Sequence, residues 1–205
     1  MADLFDQDAP PSKHAGNRPL ADRCRPTKIT DVIGQQKLIG SDGSLTIMLE
    51  SGNLPSIIFW GPPGVGKTTI ARLLASEVNM HFVQMSAIYS GVSDLKKQFE
   101  AAKIRHLNGK STLLFVDEIH RFSKSQQDSL LGAVENGTIT LIGATTENPS
   151  FEIISPLLSR CQVYILKALE KKDLLALLNM AITTDFYLKK FKIKFSANFF
   201  EFANL

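Results

Sequence analysis

The chain has 205 residues, 44% of them hydrophobic, which is enough for one full domain and part of a second. The net charge of +3 permits contact with nucleic acid without arguing for it. The two cysteines are too far apart for a disulfide framework or a zinc motif, and no apolar run reaches the roughly 18 residues of a membrane span, so we expect a cytoplasmic protein.

The predicted elements begin after residues 1–18, which carry aspartates, prolines and few apolar groups and are predicted to be a disordered tail. A short helix is predicted at 45–50. Strands are then predicted at 56–60, 81–85, 112–116, 138–144 and 162–166, with helices at 69–75, 94–107, 123–135 and 156–159. This alternation predicts an α/β fold with a parallel five-stranded sheet flanked by helices.

The pattern changes at residue 168. Helices are predicted at 169–182 and at 195–205, and no further strand is predicted. We therefore expect a core domain over 19–167 and the beginning of a small helical domain over 168–205, which would be truncated.

An eight-residue motif between the first strand and the following helix matches the phosphate-loop pattern G-x-x-x-x-G-K-[ST]. A loop in this position can wrap its backbone N–H groups around phosphate oxygens at the positive end of a helix. Lys67 would reach the β and γ phosphates of ATP, and Thr68 would hold Mg²⁺. The predicted nucleotide-binding residues here are Gly61, Pro62, Pro63, Gly64, Val65, Gly66, Lys67, Thr68 and Thr69.

Two acids follow the predicted strand at 112–116. Asp117 stands at the tip of this strand and is predicted to hold Mg²⁺ together with Thr68. Glu118 is predicted to activate or orient the attacking water. An enzyme that only transfers phosphate would not need Glu118, so the pair favours ATP hydrolysis.

Longer strings narrow the class of phosphate-loop protein. The segment 19–35 resembles the opening of clamp-loader-type AAA+ ATPases. Three further strings, D-E-I-H-R-F-S-K-S-Q-Q-D from Asp117, G-T-I-T-L-I-G-A-T-T-E-N-P-S-F from Gly137 and L-L-S-R-C from Leu157, are more specific. Together they resemble the replication-associated recombination protein A family, whose eukaryotic relatives interact with the Werner helicase. The resemblance implies an AAA+ P-loop NTPase fold followed by a helical lid.

The resemblance also implies roles for residues outside the two motifs. The opening segment would lie against the adenine base. The implied pocket residues are Arg25, Pro26, Val32 and Ile33. Thr146 matches the family's sensor 1, whose hydroxyl would bond the γ-phosphate or the attacking water. Arg160 matches the arginine finger, which acts on the ATP of a neighbouring subunit.

The implied function is a DNA-dependent ATPase acting at stalled or damaged replication forks, in recombination and repair. The implied partners are DNA with single-stranded ends, forks or gaps, single-strand binding protein, replisome components and further copies of the full-length chain, in the nucleoid rather than at a membrane. The candidate DNA-facing residues are Ser90, Gly91, Arg121 and Lys124. Family members continue into a sensor 2 arginine and an oligomerisation region, which we expect to lie beyond Leu205.

Two alternatives stay open. A Holliday-junction branch-migration motor shares the I-G-A-T-T string, although the H-R-F and S-R-C strings argue against it. A clamp-loader-like accessory subunit would use ATP mainly to hold an assembly together. The complete set of Asp117, Glu118 and Arg160 argues for turnover instead.

Overall fold

The structure is a computed structural model that describes residues 19–191 and 193. The predicted tail at 1–18 and the predicted helix at 195–205 lie outside the described residues. No helix in the described part of the chain has the length and apolar character needed to cross a membrane.

The helices and strands alternate along most of the chain. The helices are α1 (Leu20–Arg23), α2 (Gln36–Ile39), α3 (Ser44–Glu50), α4 (Lys67–Glu77), α5 (Val92–Leu107), α6 (Lys124–Glu135), α7 (Pro149–Glu152), α8 (Ser155–Leu158) and α9 (Lys171–Thr184). The strands are β1 (Ile57–Trp60), β2 (His81–Ser86), β3 (Thr112–Asp117), β4 (Thr140–Thr145) and β5 (Gln162–Ile165). Short 3-10 helices occupy Ile29–Asp31, Ile119–Arg121 and Leu188–Lys190.

The strands form one sheet in the order β2-β3-β4-β1-β5, and every neighbouring pair is parallel. The predicted α/β fold with a parallel five-stranded sheet is therefore confirmed. In the register, Trp60 at the end of β1 lies opposite Thr145 of β4 and Ile165 of β5. Since β4 lies between β1 and β3, the carboxyl ends of these three strands are neighbours at one edge of the sheet.

Each face of the sheet carries an apolar cluster, because successive side chains of a strand point to opposite faces. On one face, Phe59 and Phe115 are fully buried in a cluster with apolar residues of α4. On the other face, Ile58 and Leu114 belong to a cluster with residues of α5 and α6. The central strands are therefore apolar on both faces, which explains their nearly unbroken hydrophobic runs.

The chain divides into two compact units. The larger unit, Pro26–Glu170, contains the sheet. In the smaller unit the described residues are 19–25, 171–191 and 193. The predicted domain bounds of 19–167 and 168–205 stay a prediction. Within the smaller unit, Arg23 binds a carboxylate just after α9.

That carboxylate belongs to Asp185, whose side chain is only 2% exposed. It accepts hydrogen bonds from Arg23 Nε at 2.7 Å and from the backbone N–H groups of Tyr187 at 3.1 Å and Leu188 at 3.0 Å. The Arg23 hydrogen bond is the main cause that lowers the pKa of Asp185 to about 2, with burial opposing it. Asp185 thus ties α1 and the 3-10 turn after α9 to one point.

We predict that Asp185→Asn loosens this unit at neutral pH. Because the folded-state pKa lies below the ordinary 3.8, the stabilisation is fully present above that value and is lost as the pH falls toward 2. Amide hydrogen exchange of α9 should therefore be faster in Asp185→Asn than in the wild type at pH 7, and the difference should shrink under acid. The exposed Asp42→Asn is the matched control. Equal α9 protection in all three proteins at pH 7 would contradict this role.

Candidate functional site

The candidate site lies where the carboxyl ends of β1, β3 and β4 meet. The backbone N–H of Gly61, just after β1, donates to the carbonyl of Thr145 at the end of β4 at 3.1 Å. Asp117 is the last residue of β3. Ligands of open parallel sheets bind outside the carboxyl ends of the strands, so the fold places the phosphate-loop motif and the two acids at the expected edge.

The loop from Gly61 to Gly66 adopts a conformation that requires glycine. Gly66 caps the amino terminus of α4 with a φ of 94°, in the left-handed region. Gly64 has a φ of 77°, and a Cβ built on it would meet no atom within 4 Å. The loop therefore curls into the start of an eleven-residue helix and leaves open space beside its backbone.

Lys67 is the first residue of α4 and is only 8% exposed. Its Nζ donates to the carbonyl oxygens of Gly61 at 2.6 Å and Pro62 at 2.9 Å. Burial lowers the pKa of Lys67, while the negative charges of Glu118 and Asp117 act in the opposite direction. The structure thus brings the phosphate-loop lysine and both predicted acids into one electrostatic environment.

Glu118 directly follows β3 and has a φ of 52°, a left-handed conformation that is costly for a residue with a side chain. The turn continues into the 3-10 helix Ile119–Arg121, and Ile119 is fully buried. The hydroxyl of Thr146 donates to Glu118 Oε2 at 3.5 Å. Glu118 and Thr146, predicted separately as the water-handling acid and sensor 1, are therefore neighbours.

His120 belongs to the same group of side chains, which the sequence reasoning did not anticipate. Its side chain is 7% exposed, and Nδ1 lies 3.3 Å from Glu118 Oε2 and 3.0 Å from the hydroxyl oxygen of Thr145. The only available signal was its position two residues after Glu118 in the D-E-I-H string. Among the described residues, no cluster of three or more His, Cys, Asp and Glu side chains suitable for a metal ion is formed.

Arg160 lies two residues after the end of α8. Its guanidinium forms an ion pair with Glu135 at the end of α6 and donates to the Pro156 carbonyl at 2.8 Å and to Ser159 Oγ at 3.1 Å. The side chains of Arg160 and Glu135 are 43% and 42% exposed. In the described part of the chain, no hydrogen bond or ion pair joins Arg160 to the loop at 61–66.

Gln127 holds the segment that leads to Arg160. It is 2% exposed, and its Nε2 donates to the carbonyls of Phe122 at 3.0 Å and Glu152 at 3.1 Å. Its Oε1 accepts from the backbone N–H of Ile154 at 2.9 Å. A single buried amide thus fixes α7 and the start of α8 against α6.

The segment implied to contact adenine is split between the two units. Val32 is buried in the same apolar cluster as Val65 of the phosphate loop. Pro26 and Ile33 are half-buried in the larger unit, whereas Arg25 lies in the smaller unit and pairs with Asp22. The described contacts therefore connect Val32 with the phosphate loop.

The residues present fit a nucleoside triphosphate with Mg²⁺. The open space beside Gly64 and the buried cation of Lys67 suit phosphate oxygens. Thr68 and Asp117 offer hydroxyl and carboxylate oxygens, the donors that Mg²⁺ prefers. Mg²⁺ is usually held by few protein ligands together with phosphates and water, so a cluster of several acids is not needed.

A family model and several relatives match this chain. The model of the ATPase family associated with various cellular activities (AAA) matches residues 57–169. Replication-associated recombination protein A of Escherichia coli (strain K12) is 49% identical over 165 residues, 80% of this chain and 37% of that protein. The protein of the same name from Coxiella burnetii is 50% identical over 167 residues, 82% of this chain and 38% of that protein.

The ATPase WRNIP1 of Dictyostelium discoideum is also similar, with 48% identity over 164 residues, 80% of this chain and 19% of that protein. These names confirm the predicted resemblance, and the chain spans well under half the length of the curated relatives it matches. A solved structure of the Thermotoga maritima RuvB Holliday junction branch migration motor superimposes with a TM-score of 0.62 at 29% identity, over 78% of this chain and 54% of that one.

We predict that Lys67→Ala weakens ATP binding about 10- to 100-fold, because hydrogen bonds to a charged group contribute roughly 1.5–3 kcal/mol. The dissociation constant of a fluorescent ATP analogue measures the change, and circular dichroism checks that the variant is folded. Lys110→Ala removes an exposed lysine and is the matched control. An unchanged affinity in folded Lys67→Ala would contradict the assignment of Lys67 to the phosphates.

Proposed function

Because this chain belongs to the AAA family of ATPases, we propose that it binds ATP with Mg²⁺ and couples hydrolysis to action on DNA at stalled or damaged replication forks. The observation that carries the ATPase part is that the carboxyl ends of β1, β3 and β4 are neighbours, which places the phosphate loop with the buried Lys67 at the same edge of the sheet as Asp117 and Glu118. The DNA part is supported by the names of the curated relatives, which connect those proteins with replication-associated recombination.

Some of these residues would bind ATP and Mg²⁺, and others would take part in hydrolysis. The backbone N–H groups of the loop at 61–66 and the Lys67 cation would hold the phosphates. Thr68 and Asp117 would hold Mg²⁺, which when bound neutralises charge on the phosphate oxygens. Glu118 would orient the attacking water and accept its proton, and Thr146 would hold the γ-phosphate or the same water.

The base would be held by the segment that precedes the sheet. Pro26, Val32 and Ile33, which lie in the larger unit, would supply apolar surface for a purine. Gln35 anchors the segment, because its side-chain amide donates to the Lys167 carbonyl at 2.7 Å and accepts from the Lys167 N–H at 3.1 Å.

Arg160 would act in an assembly of several copies of the full-length protein. Its position outside the phosphate loop and its partly exposed guanidinium support action on the nucleotide of a neighbouring subunit. The partners proposed with this assembly are single-stranded DNA ends, forks or gaps, single-strand binding protein and replisome components, in the cytoplasm and nucleoid.

A Holliday-junction branch-migration motor remains the second candidate, favoured by the structural likeness to the Thermotoga maritima motor. The higher identity to proteins named for replication-associated recombination favours the first. Movement of a synthetic Holliday junction by the protein would support the second candidate, and stimulation of its ATPase by forks or single-stranded ends without junction movement would support the first. An ATPase rate that none of these DNA substrates changes would favour an accessory subunit.

We predict that Glu118→Gln binds ATP like the wild type and loses about 100-fold or more in turnover, because it keeps the shape and loses the base. Phosphate release measures turnover, with and without single-stranded, forked and blunt DNA. The exposed Glu50→Gln is the matched control. Wild-type turnover by Glu118→Gln would refute its role, and equal wild-type rates with every DNA would refute DNA dependence.

We predict that Arg160→Ala binds ATP normally and turns it over slowly, by a factor of up to about 10³, because arginine fingers stabilise the transition-state charge. Mixing it with Glu118→Gln should recover part of the activity, since some neighbours then combine an intact Arg160 with an intact Glu118. Glu135→Gln removes the ion pair but keeps the guanidinium, so it should remain active. No recovery in confirmed mixed oligomers would count against action between subunits.

A further inference from the structure

We propose that His120 is a positioning residue that holds the Glu118 carboxylate in the orientation needed for hydrolysis, which rests on the ATPase activity proposed above. His120 lies two residues after Glu118, within the 3-10 turn Ile119–Arg121. Its ring is nearly buried, and its Nδ1 faces both Glu118 Oε2 and the hydroxyl of Thr145.

Thr145 makes a rigid anchor for this contact. It is fully buried, it is the last residue of β4, and its hydroxyl oxygen accepts from the Glu147 N–H at 3.0 Å. The same oxygen lies 3.3 Å from the Glu147 carbonyl, to which it donates. The tautomer with an N–H on His120 Nδ1, which lies 3.0 Å from the Thr145 oxygen, is the one compatible with that bond.

An N–H on Nδ1 also suits Glu118, because a carboxylate oxygen can only accept hydrogen bonds. His120 Nδ1 at 3.3 Å and Thr146 Oγ1 at 3.5 Å both face Oε2 of Glu118. Within the described residues, Glu118 Oε1 has no hydrogen bond to protein. One carboxylate oxygen is therefore held by the protein, and the other is available to the attacking water.

Glu118 needs such an anchor more than an ordinary strand residue does. Its left-handed φ of 52° places it on a sharp turn, and its side chain is 27% exposed. A glutamate at such a position has several rotamers available, and only some would present Oε1 to the γ-phosphate. Loss of the His120 contact would spread the carboxylate over these rotamers without altering the phosphate loop.

The test compares two substitutions of similar size. His120→Asn places an amide N–H close to the position of Nδ1, whereas His120→Leu fills the space without a donor. We expect His120→Leu to lower kcat about 10- to 100-fold, because small misplacements of catalytic groups have effects of this size. The dissociation constant for ATP should stay unchanged, and His120→Asn should retain clearly more of kcat than His120→Leu.

A purely structural role would not produce this pattern. In a Glu118→Gln background, His120→Leu should cause no further loss in single-turnover hydrolysis, because the group it positions is already gone. Thermal melting checks folding, and His120→Ala, which also lacks a donor, replaces the leucine variant if that one unfolds.

Three results would overturn the proposal: wild-type kcat in folded His120→Leu, equal losses in the asparagine and leucine variants, or a further loss in the Glu118→Gln background. If folded His120→Leu has wild-type kcat and Glu118→Gln is inactive, only the role of His120 is refuted and the proposed ATPase function is still supported. Wild-type hydrolysis by Glu118→Gln would overturn both, since His120 would then have no catalytic group to position.

Discussion

The packing of Ile119 on Gly143 is the contact on which the arrangement of the site depends. A Cβ on Gly143 would lie 2.8 Å from Ile119 Cδ1 and 2.8 Å from Ile58 Cδ1, so a larger residue in β4 would force the ends of these two side chains to move. Ile119 is fully buried there, and it carries Glu118 on one side and His120 on the other. This apolar anchor offsets the unfavourable left-handed backbone of Glu118, because the turn cannot relax without exposing Ile119.

The string H-R-F-S-K-S-Q-Q-D, which marked the family resemblance, joins three parts of the site in the structure. His120 contacts the carboxylate of Glu118. Gln126 accepts from the Ser123 N–H at the start of α6 and donates to the Ser90 carbonyl at 3.3 Å, which ties the loop after β2 to α6. Gln127 holds the backbone of 152–154, which leads to Arg160. The string therefore carries side chains that align loops around the proposed hydrolytic centre.

The ion pair between Arg160 and Glu135 is consistent with a residue that changes partners. Both side chains are substantially exposed, and exposed ion pairs contribute only about 0–1 kcal/mol. Transfer of Arg160 to phosphate oxygens of a neighbouring subunit would therefore cost little. Gln127, in contrast, is buried, and its hydrogen bonds fix the backbone of 152–154, which leads to Arg160.

The sequence by itself predicted the sheet, the phosphate loop and the acids Asp117 and Glu118, because these features depend on residues a few positions apart. A buried strand such as β3 shows its apolar run directly, and the glycine pattern before Lys67 is local. The four-residue helices α1, α2 and α7 were missed, since so short a stretch has no measurable periodicity. Tertiary structure alone decided that His120 meets Thr145, that Gln127 reaches Glu152, and that the segment 19–25 groups with α9. Each of these contacts joins residues at least 25 positions apart. Such residues meet only in the folded chain, because strand order and packing bring them together.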